Sequence, residues 1–267
     1  MIYGHSIESN IRKSLADCVF FHSVEYHRCL TSTSDRAKEL AQDGGAEGTV
    51  ILAGTQTAGR GRMGRHFYSP EGSGLYMSIL LRPDELRNDP GLLTACGAVA
   101  VWQAIYKLAN VKTDIKWVND LYYQQKKLCG ILAEGQFNND GTLAYVILGI
   151  GINITRPEHG YDPEIDDKTI ALHDFILDRQ IEYSALCAAV TEAFGDIYNK
   201  LPNLDFLDIY RKQSCVLGQN ITYLRDGQLH QGKAIAIDDH ARLVIDKGEC
   251  RKEILSSGEI SLVRAAL

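Results

Sequence analysis

Apolar residues along this chain fall into two rhythms. Short unbroken runs have strand character, and a few longer stretches repeat every three or four positions. The runs CVFFHSV (18–24), TVILAG (49–54), SGLYMSILLRP (73–83), DIKWV (114–118), KLCGILAEGQF (127–137) and TLAYVILGIGINI (142–154) predict strands. Asn138-Asn139-Asp140-Gly141 predicts a hairpin joining the last two. Helical spacing begins in DRAKELAQDGG, where Ala37, Leu40 and Ala41 share a face, with Ser and Thr before it and Gly44-Gly45 after it as stop signals. Pro90 opens a long helix whose expected buried stripe is Leu92, Cys96, Val99, Trp102 and Tyr106. Residues 157–168 predict a polar acidic loop, and two helices are predicted at about 184–200 and 203–213.

From residue 215 onward the rhythm changes. NITYL, HQGKAIAI, RLVI, CRKEIL and EISLV are short strand-like runs, separated by turn signals at 225–227, 238–239, 247–248 and 257–258. This spacing predicts a small barrel-like β domain at 213–267 behind an α+β domain at 1–212.

Composition narrows the class. No apolar run nears the roughly 20 residues that span a bilayer. The N-terminus lacks the uninterrupted apolar stretch of a signal peptide, so a cytoplasmic protein without a membrane partner is expected. Seven cysteines with no C-x-x-C pair argue against a zinc site or a disulfide framework. The net charge of −6 argues against general attraction to nucleic acid, which makes local positive charge informative. Residues 54–66 hold Arg60, Arg62 and Arg65 and no acid, while 112–127 hold Lys112, Lys116, Lys126 and Lys127 against Asp114 and Asp120. Each segment is either a solvated face or the seat of a small anion.

The first segment, GTQTAGRGRMGRHF (54–67), contains G-x-G-x-x-G, the spacing of a dinucleotide turn. That turn must lead into a helix, whereas Pro70, Gly72 and Gly74 follow here, and then a strand. A Walker loop also fails, since no glycine precedes Lys and Ser or Thr. What remains is a strand-to-strand loop that joins glycine freedom to guanidinium forks, suited to carboxylate or phosphate. In the second segment, Asn119 and Asp120 either simply make a turn or serve a Mg²⁺-bridged polyphosphate, with Lys127 at the mouth of the next strand. The glycines of GIGIN (149–153) leave either close sheet packing or a flat wall for an apolar ligand.

Together, TSTS (31–34), Q-x-x-GRGRxGR (56–65), SPEGSGLYMSILLRP, KWVNDLYYQQKKLCGILAE (116–134), GIGINI (149–154) and GEISL (258–262) resemble the biotin–protein ligase family over nearly the whole chain. The resemblance implies an α+β catalytic domain like that of class II aminoacyl-tRNA synthetases, with a mixed sheet flanked by helices, followed by a small SH3-like β-barrel. It implies biotin and ATP as substrates, Mg²⁺, a biotinyl-5′-AMP intermediate, and transfer to a biotin carboxyl carrier domain of a carboxylase. Ser32, Thr33, Ser34, Gln56, Arg60, Gly61, Arg62, Lys127, Gly130 and Gly151 then map to biotin. Arg62, Arg65, Lys116, Asn119, Asp120, Lys127 and Asn153 map to ATP; Lys127, Arg62, Lys116 and Asp120 map to catalysis, with Asp120 also at the metal. The sequence departs from the family pattern at Thr31 and Ser34 (usually D-S-T-N), at Val118 (usually proline) and at Phe67 (often tryptophan). About 17 residues precede the first expected strand, too few for a DNA-binding helix-turn-helix, so no DNA partner is expected; a homodimer stays open. A lipoate–protein ligase and a non-catalytic biotin or adenylate binder are the competing readings.

Overall fold

The computed structural model describes residues 2–84, 89–225 and 227–263, so the turn expected at 225–227 lies partly outside the described residues. The chain runs α1 (Ile2–Ser14), β1 (Ser23–Leu30), α2 (Thr33–Gln42), β2 (Thr49–Gln56), β3 (Gly74–Leu81), α3 (Pro90–Ala109), β4 (Asp114–Lys116), β5 (Asp120–Tyr123), β6 (Lys126–Phe137) and β7 (Leu143–Asn153). It continues through α4 (Tyr183–Tyr198), α5 (Phe206–Lys212), β8 (Asn220–Arg225), β9 (Gln228–Ile237), β10 (Leu243–Asp246), β11 (Lys252–Leu255) and β12 (Ile260–Leu262). Strands β1 to β7 form one mixed sheet in the order β1-β2-β3-β7-β6-β5-β4, in which only β1 and β2 run parallel. Strands β8 to β12 form a separate antiparallel sheet in the order β11-β10-β9-β8-β12. The α+β class and the small C-terminal β unit are therefore present as expected.

The two faces of the large sheet are covered unequally, and this makes room for a site. One face carries the main core, where α1, α3 and α4 pack on the strands and α5 packs on α3. The other face carries one ten-residue helix, α2, whose Ala37 and Ala41 pack on Ile51, Leu80, Tyr145 and Ile147. Beyond the start of α2, that face holds a cavity whose lining includes Gly149 and Gly151.

Three sequence expectations need correction. The first strand is Ser23–Leu30, not 18–24. Val19 is 95% exposed, while Phe20 turns inward to meet Phe194 and Tyr198, with ring centroids 5.5 Å away from each. Edge-to-face pairs of this kind contribute about 0.5–1.5 kcal/mol beyond their area, so the aromatic run anchors a turn rather than forming a strand. Second, the N-terminus is a helix. Ile7, Ile11 and Leu15 make its buried stripe, Glu8 accepts a hydrogen bond from the Tyr26 N–H at 2.7 Å, and Arg12 donates to the Val24 carbonyl at 2.8 Å. Those side chains occupy the free edge of β1, which would otherwise present unpaired backbone groups. Third, α3 is buried around most of its middle, including Leu93, Ala100, Val101 and Ile105, whereas Tyr106 of the expected stripe is exposed and stacks on Trp102. This helix is long and apolar enough to cross a membrane, and here it forms the centre of the core.

The small sheet carries its own charge cluster. Burial pushes the Glu253 carboxyl up, but hydrogen bonds from Arg225, Tyr223 (2.8 Å) and Lys247 (3.0 Å) outweigh it and hold the group at about 2. An unfolded glutamate titrates near ~4.3. The contribution to stability is thus complete above that value and is lost as pH falls from about 4.5 toward 2. Glu253→Gln is expected to flatten the acid limb of the thermal-stability curve across that window; an unchanged limb would contradict the assignment.

Candidate functional site

The uncovered part of the large sheet is the floor of a cavity of about 650 Å³. Its walls come from the start of α2, the end of β2, the arginine loop, the β4–β5 turn, β6, β7, the segment 164–169 and the C-terminal loop 258–260. Among the residues expected at biotin or ATP, Ser32, Thr33, Ser34, Gln56, Arg60, Gly61, Arg62, Arg65, Lys116, Asn119, Asp120, Lys127, Gly130 and Gly151 all line it.

Asn153 does not. It is 7% exposed, and its amide donates to the carbonyls of Ile170 (3.2 Å) and Lys127 (3.5 Å). It ties β7 to the segment 169–170, which also pairs with Lys127 through the Ile170 N–H. Its geometry is that of a structural bolt behind the site.

One end of the cavity is a hydroxyl and amide network. Ser32 caps α2, its oxygen accepting from the Ser34 N–H at 3.1 Å. Gln56 Oε1 accepts from the Thr33 N–H (2.9 Å) and hydroxyl (3.2 Å), and Gln56 Nε2 donates to Ser69 Oγ at 2.9 Å. Ser78 Oγ donates to Thr33 Oγ1 at 2.8 Å and lies 3.2 Å from Ser34 Oγ. Ser78 was not among the sequence candidates, because a serine within the apolar strand GLYMSILL is marked only by the partners that the fold brings to it. A fully buried hydroxyl needs partners, and these are the residues that provide them.

The middle of the cavity is apolar and flat. A Cβ added at Gly151 would sit 2.5 Å from the Phe67 ring, and one at Gly130 would sit 3.3 Å from the same ring. The two glycines, paired across β6 and β7, seat Phe67 against the sheet.

The other end is cationic. Arg62, Arg65, Lys116, Lys127 and Lys168 line the cavity there with Asp120, Glu164 and Glu259, while the Arg60 guanidinium turns back toward Asp35 at the start of α2. Lys127 Nζ lies 2.8 Å from Asp120 Oδ1. Asp120 begins β5, a strand missed because DLYY is only four residues long and its following turn uses Gln124 and Gln125 at positive φ, with no glycine to mark it. Arg62 donates to Asn119 Oδ1 (3.2 Å) and to the Gly258 carbonyl (3.1 Å), and Arg65 pairs with Glu259. Burial lowers the Arg62 pKa, opposed by the nearby Asp120 charge. Guanidinium stays charged even so, so a partly dehydrated cation is held where an anionic ligand would gain most from it.

The β4–β5 turn is held from two sides. Tyr210 of α5 is fully buried and donates to the Val118 carbonyl at 2.7 Å, while Trp117 Nε1 donates to the Ala241 carbonyl in the β9–β10 turn at 2.9 Å. Removing the phenol leaves a buried carbonyl without its donor, at a cost of about 1–3 kcal/mol. Tyr210→Phe is therefore expected to lower Tm with the fold retained; an unchanged Tm would contradict the contribution of this bond.

This architecture has relatives. A model described as the biotin/lipoate A/B protein ligase family matches residues 26–153, and one described as the biotin protein ligase C-terminal domain matches residues 216–263. Over 257 residues the chain is 35% identical to the bifunctional ligase/repressor BirA of Bacillus subtilis, covering 95% of this chain and 78% of that protein. The chain belongs to the biotin–protein ligase family. Within this family it is also 29% identical to the biotin–[acetyl-CoA-carboxylase] ligase of Mycobacterium tuberculosis, covering 88% of this chain and 86% of that one. Among solved structures, the biotin protein ligase of Aquifex aeolicus in complex with biotin and ATP superposes with a TM-score of 0.76 at 29% identity, covering 92% of this chain and all of that one. As a member of a ligase family, the chain is an enzyme, and its cavity is where ligase chemistry must be sought.

Proposed function

We propose that this enzyme activates biotin with ATP and transfers the biotinyl group to a lysine of a biotin carboxyl carrier domain. The observation that carries the reading is the sequence of surfaces along one cavity: a hydroxyl and amide end, a glycine floor, and a cationic end. Biotin presents a ureido ring, an apolar chain and a carboxylate in that order. Ser32, Thr33, Ser34 and Gln56 would hold the ring, Gly130 and Gly151 the chain through the Phe67 ring seated on them, and Gly61, Arg62 and Lys127 the carboxylate, with Arg60 tying the loop to its surroundings. Arg65, Lys116, Asn119 and Asp120 would meet the nucleotide.

In the first step a carboxylate oxygen attacks the α-phosphorus, the bond to the β-phosphate bridge breaks, and pyrophosphate leaves. Like charges about 4 Å apart repel by about 4 kcal/mol at an effective dielectric near 20. Lys127 and the loop arginines offset that repulsion and stabilise charge on the leaving group. In the second step the acceptor amine attacks the mixed anhydride carbonyl, loses a proton, and AMP departs with the anhydride oxygen.

Mg²⁺ would enter with ATP. No group of three His, Cys, Asp or Glu is assembled among the described residues, so there is no dedicated metal cage. Asp120 Oδ1 is buried and has no hydrogen-bond partner beyond its ion pair with Lys127. That suits an ion bound through one carboxylate, water and substrate phosphates. When bound, it would neutralise triphosphate charge.

Incubation with biotin, ATP and a carrier domain, read by intact mass, is expected to add one biotinyl group at a single lysine. An unmodified carrier alongside accumulated biotinyl-5′-AMP would remove the transfer step from the proposal.

A further inference from the structure

The three loop arginines are tied to different parts of the protein. Arg62 and Arg65 reach the β4–β5 turn and the C-terminal loop, whereas Arg60 points the other way. Its guanidinium bridges two carboxylates: Asp35 Oδ1 in the first turn of α2 at 2.6 Å, and Glu134 Oε1 on β6 at 3.3 Å. Neither acid lines the cavity, yet each stands directly behind a wall of it. Asp35 follows Ser34, and Glu134 lies four residues beyond Gly130 on the same strand.

Resting on the reading of this site as adenylate-forming, we propose that Asp35 and Glu134 are positioning residues that latch Arg60, and through it the arginine loop, over the bound acyl-adenylate. The geometry explains why two acids are used. A planar fork held at one point still swings, whereas contacts to two carboxylates on separate elements fix both its position and its plane. The loop backbone transmits this constraint, because Arg60 bridges His66, the Gly61 N–H donates to the Arg65 carbonyl at 2.8 Å, and the Phe67 N–H donates to Gly59 at 2.9 Å. The loop is a small closed unit, so anchoring Arg60 anchors Arg62, Arg65 and Phe67 with it. Lys38 also touches Glu134 Oε1, at 2.8 Å, from α2 rather than from the loop.

All three side chains of the latch are partly solvated, so each ion pair is screened and modest. Asp35→Asn or Glu134→Gln is expected to speed release of biotinyl-5′-AMP about three- to fivefold, and the double variant about tenfold. The rate of adenylate formation should stay within about twofold. Arg60→Gln should release adenylate at least as fast, and adding Asp35→Asn to it should change nothing further, because the two act through one contact. Lys38→Met should retain adenylate like the unaltered enzyme.

A second readout needs no ligand: limited trypsin cleavage at the arginines 60, 62 and 65. It should accelerate in Asp35→Asn and Glu134→Gln and not in Lys38→Met. Unchanged cleavage in the two acid variants, or equal cleavage in Lys38→Met, would overturn the latch. If the latch variants are cleaved faster but the unaltered enzyme forms no biotinyl adenylate, the latch stands and the functional reading falls.

Discussion

Replacing Lys127 with alanine is expected to slow adenylate formation by roughly 10²–10³-fold, the cost of removing one preorganised donor from a developing anionic centre. Lys127 is the second residue of β6, its backbone is held by Ile170, and its ammonium lies against Asp120. Among the described residues the other two lysines on the cavity wall differ: Lys116 donates weakly to the Tyr122 hydroxyl at 3.5 Å and sits over that ring, and Lys168 donates to the Glu164 carbonyl at 3.3 Å. The substitution also leaves Asp120, only 18% exposed, without its cation. Loss of a few kcal/mol of stability at most is therefore expected, visible as a drop in Tm with the fold retained. Rapid-quench measurement of biotinyl-5′-AMP separates the two effects. Near-normal adenylation by a folded Lys127→Ala enzyme would remove Lys127 from the reacting centre.

Gly151→Val tests the opposite end of the chemistry, the apolar floor. A Cβ there already meets the Phe67 ring at 2.5 Å, so a branched side chain must drive the ring off the sheet and fill the space above it. Overpacking of this kind costs about 1–3 kcal/mol, and Phe67, carried by a loop, yields more readily than β7. Biotin affinity is expected to fall by about 100-fold or more, equal to ~2.7 kcal/mol, while ATP binding changes much less. Calorimetric titration with each ligand checks this. Unchanged biotin affinity would place the acid elsewhere in the cavity.

How legible these features were in the sequence depended on the length scale of the interaction that fixed them. Strands β2, β3 and β7 are central and largely apolar on both faces, and β6 has an apolar centre, LCGILA, so their runs declare them. Strand β1 is an edge, with Glu25, His27 and Arg28 partly solvated, and its sequence SVEYHRCL is quieter than the CVFF before it. The helix α1 was readable in Ile7, Ile11 and Leu15, whose spacing of four was overlooked beside their polar neighbours. In the site, the glycine and arginine loop and the KWVND turn stand out because their charges are concentrated in an acidic chain. Ser78, Asp35 and Glu134 were not legible in that way. Their roles come from contacts 45, 25 and 74 residues away in sequence, to Thr33 and Arg60, which only the folded sheet brings together. The G-x-G-x-x-G spacing misled in the other direction. It matches a dinucleotide turn, but what it encodes is a self-bonded loop with Met63 and Gly64 at positive φ and a cation aimed at each wall.

The central claim is that this cavity joins biotin to the α-phosphate of ATP. The most direct measurement is isotopic exchange of pyrophosphate into ATP with a single acid present and no carrier protein. The account predicts exchange that depends on biotin and is lost in Lys127→Ala. Exchange supported by lipoate and not by biotin, or by neither acid, would contradict it.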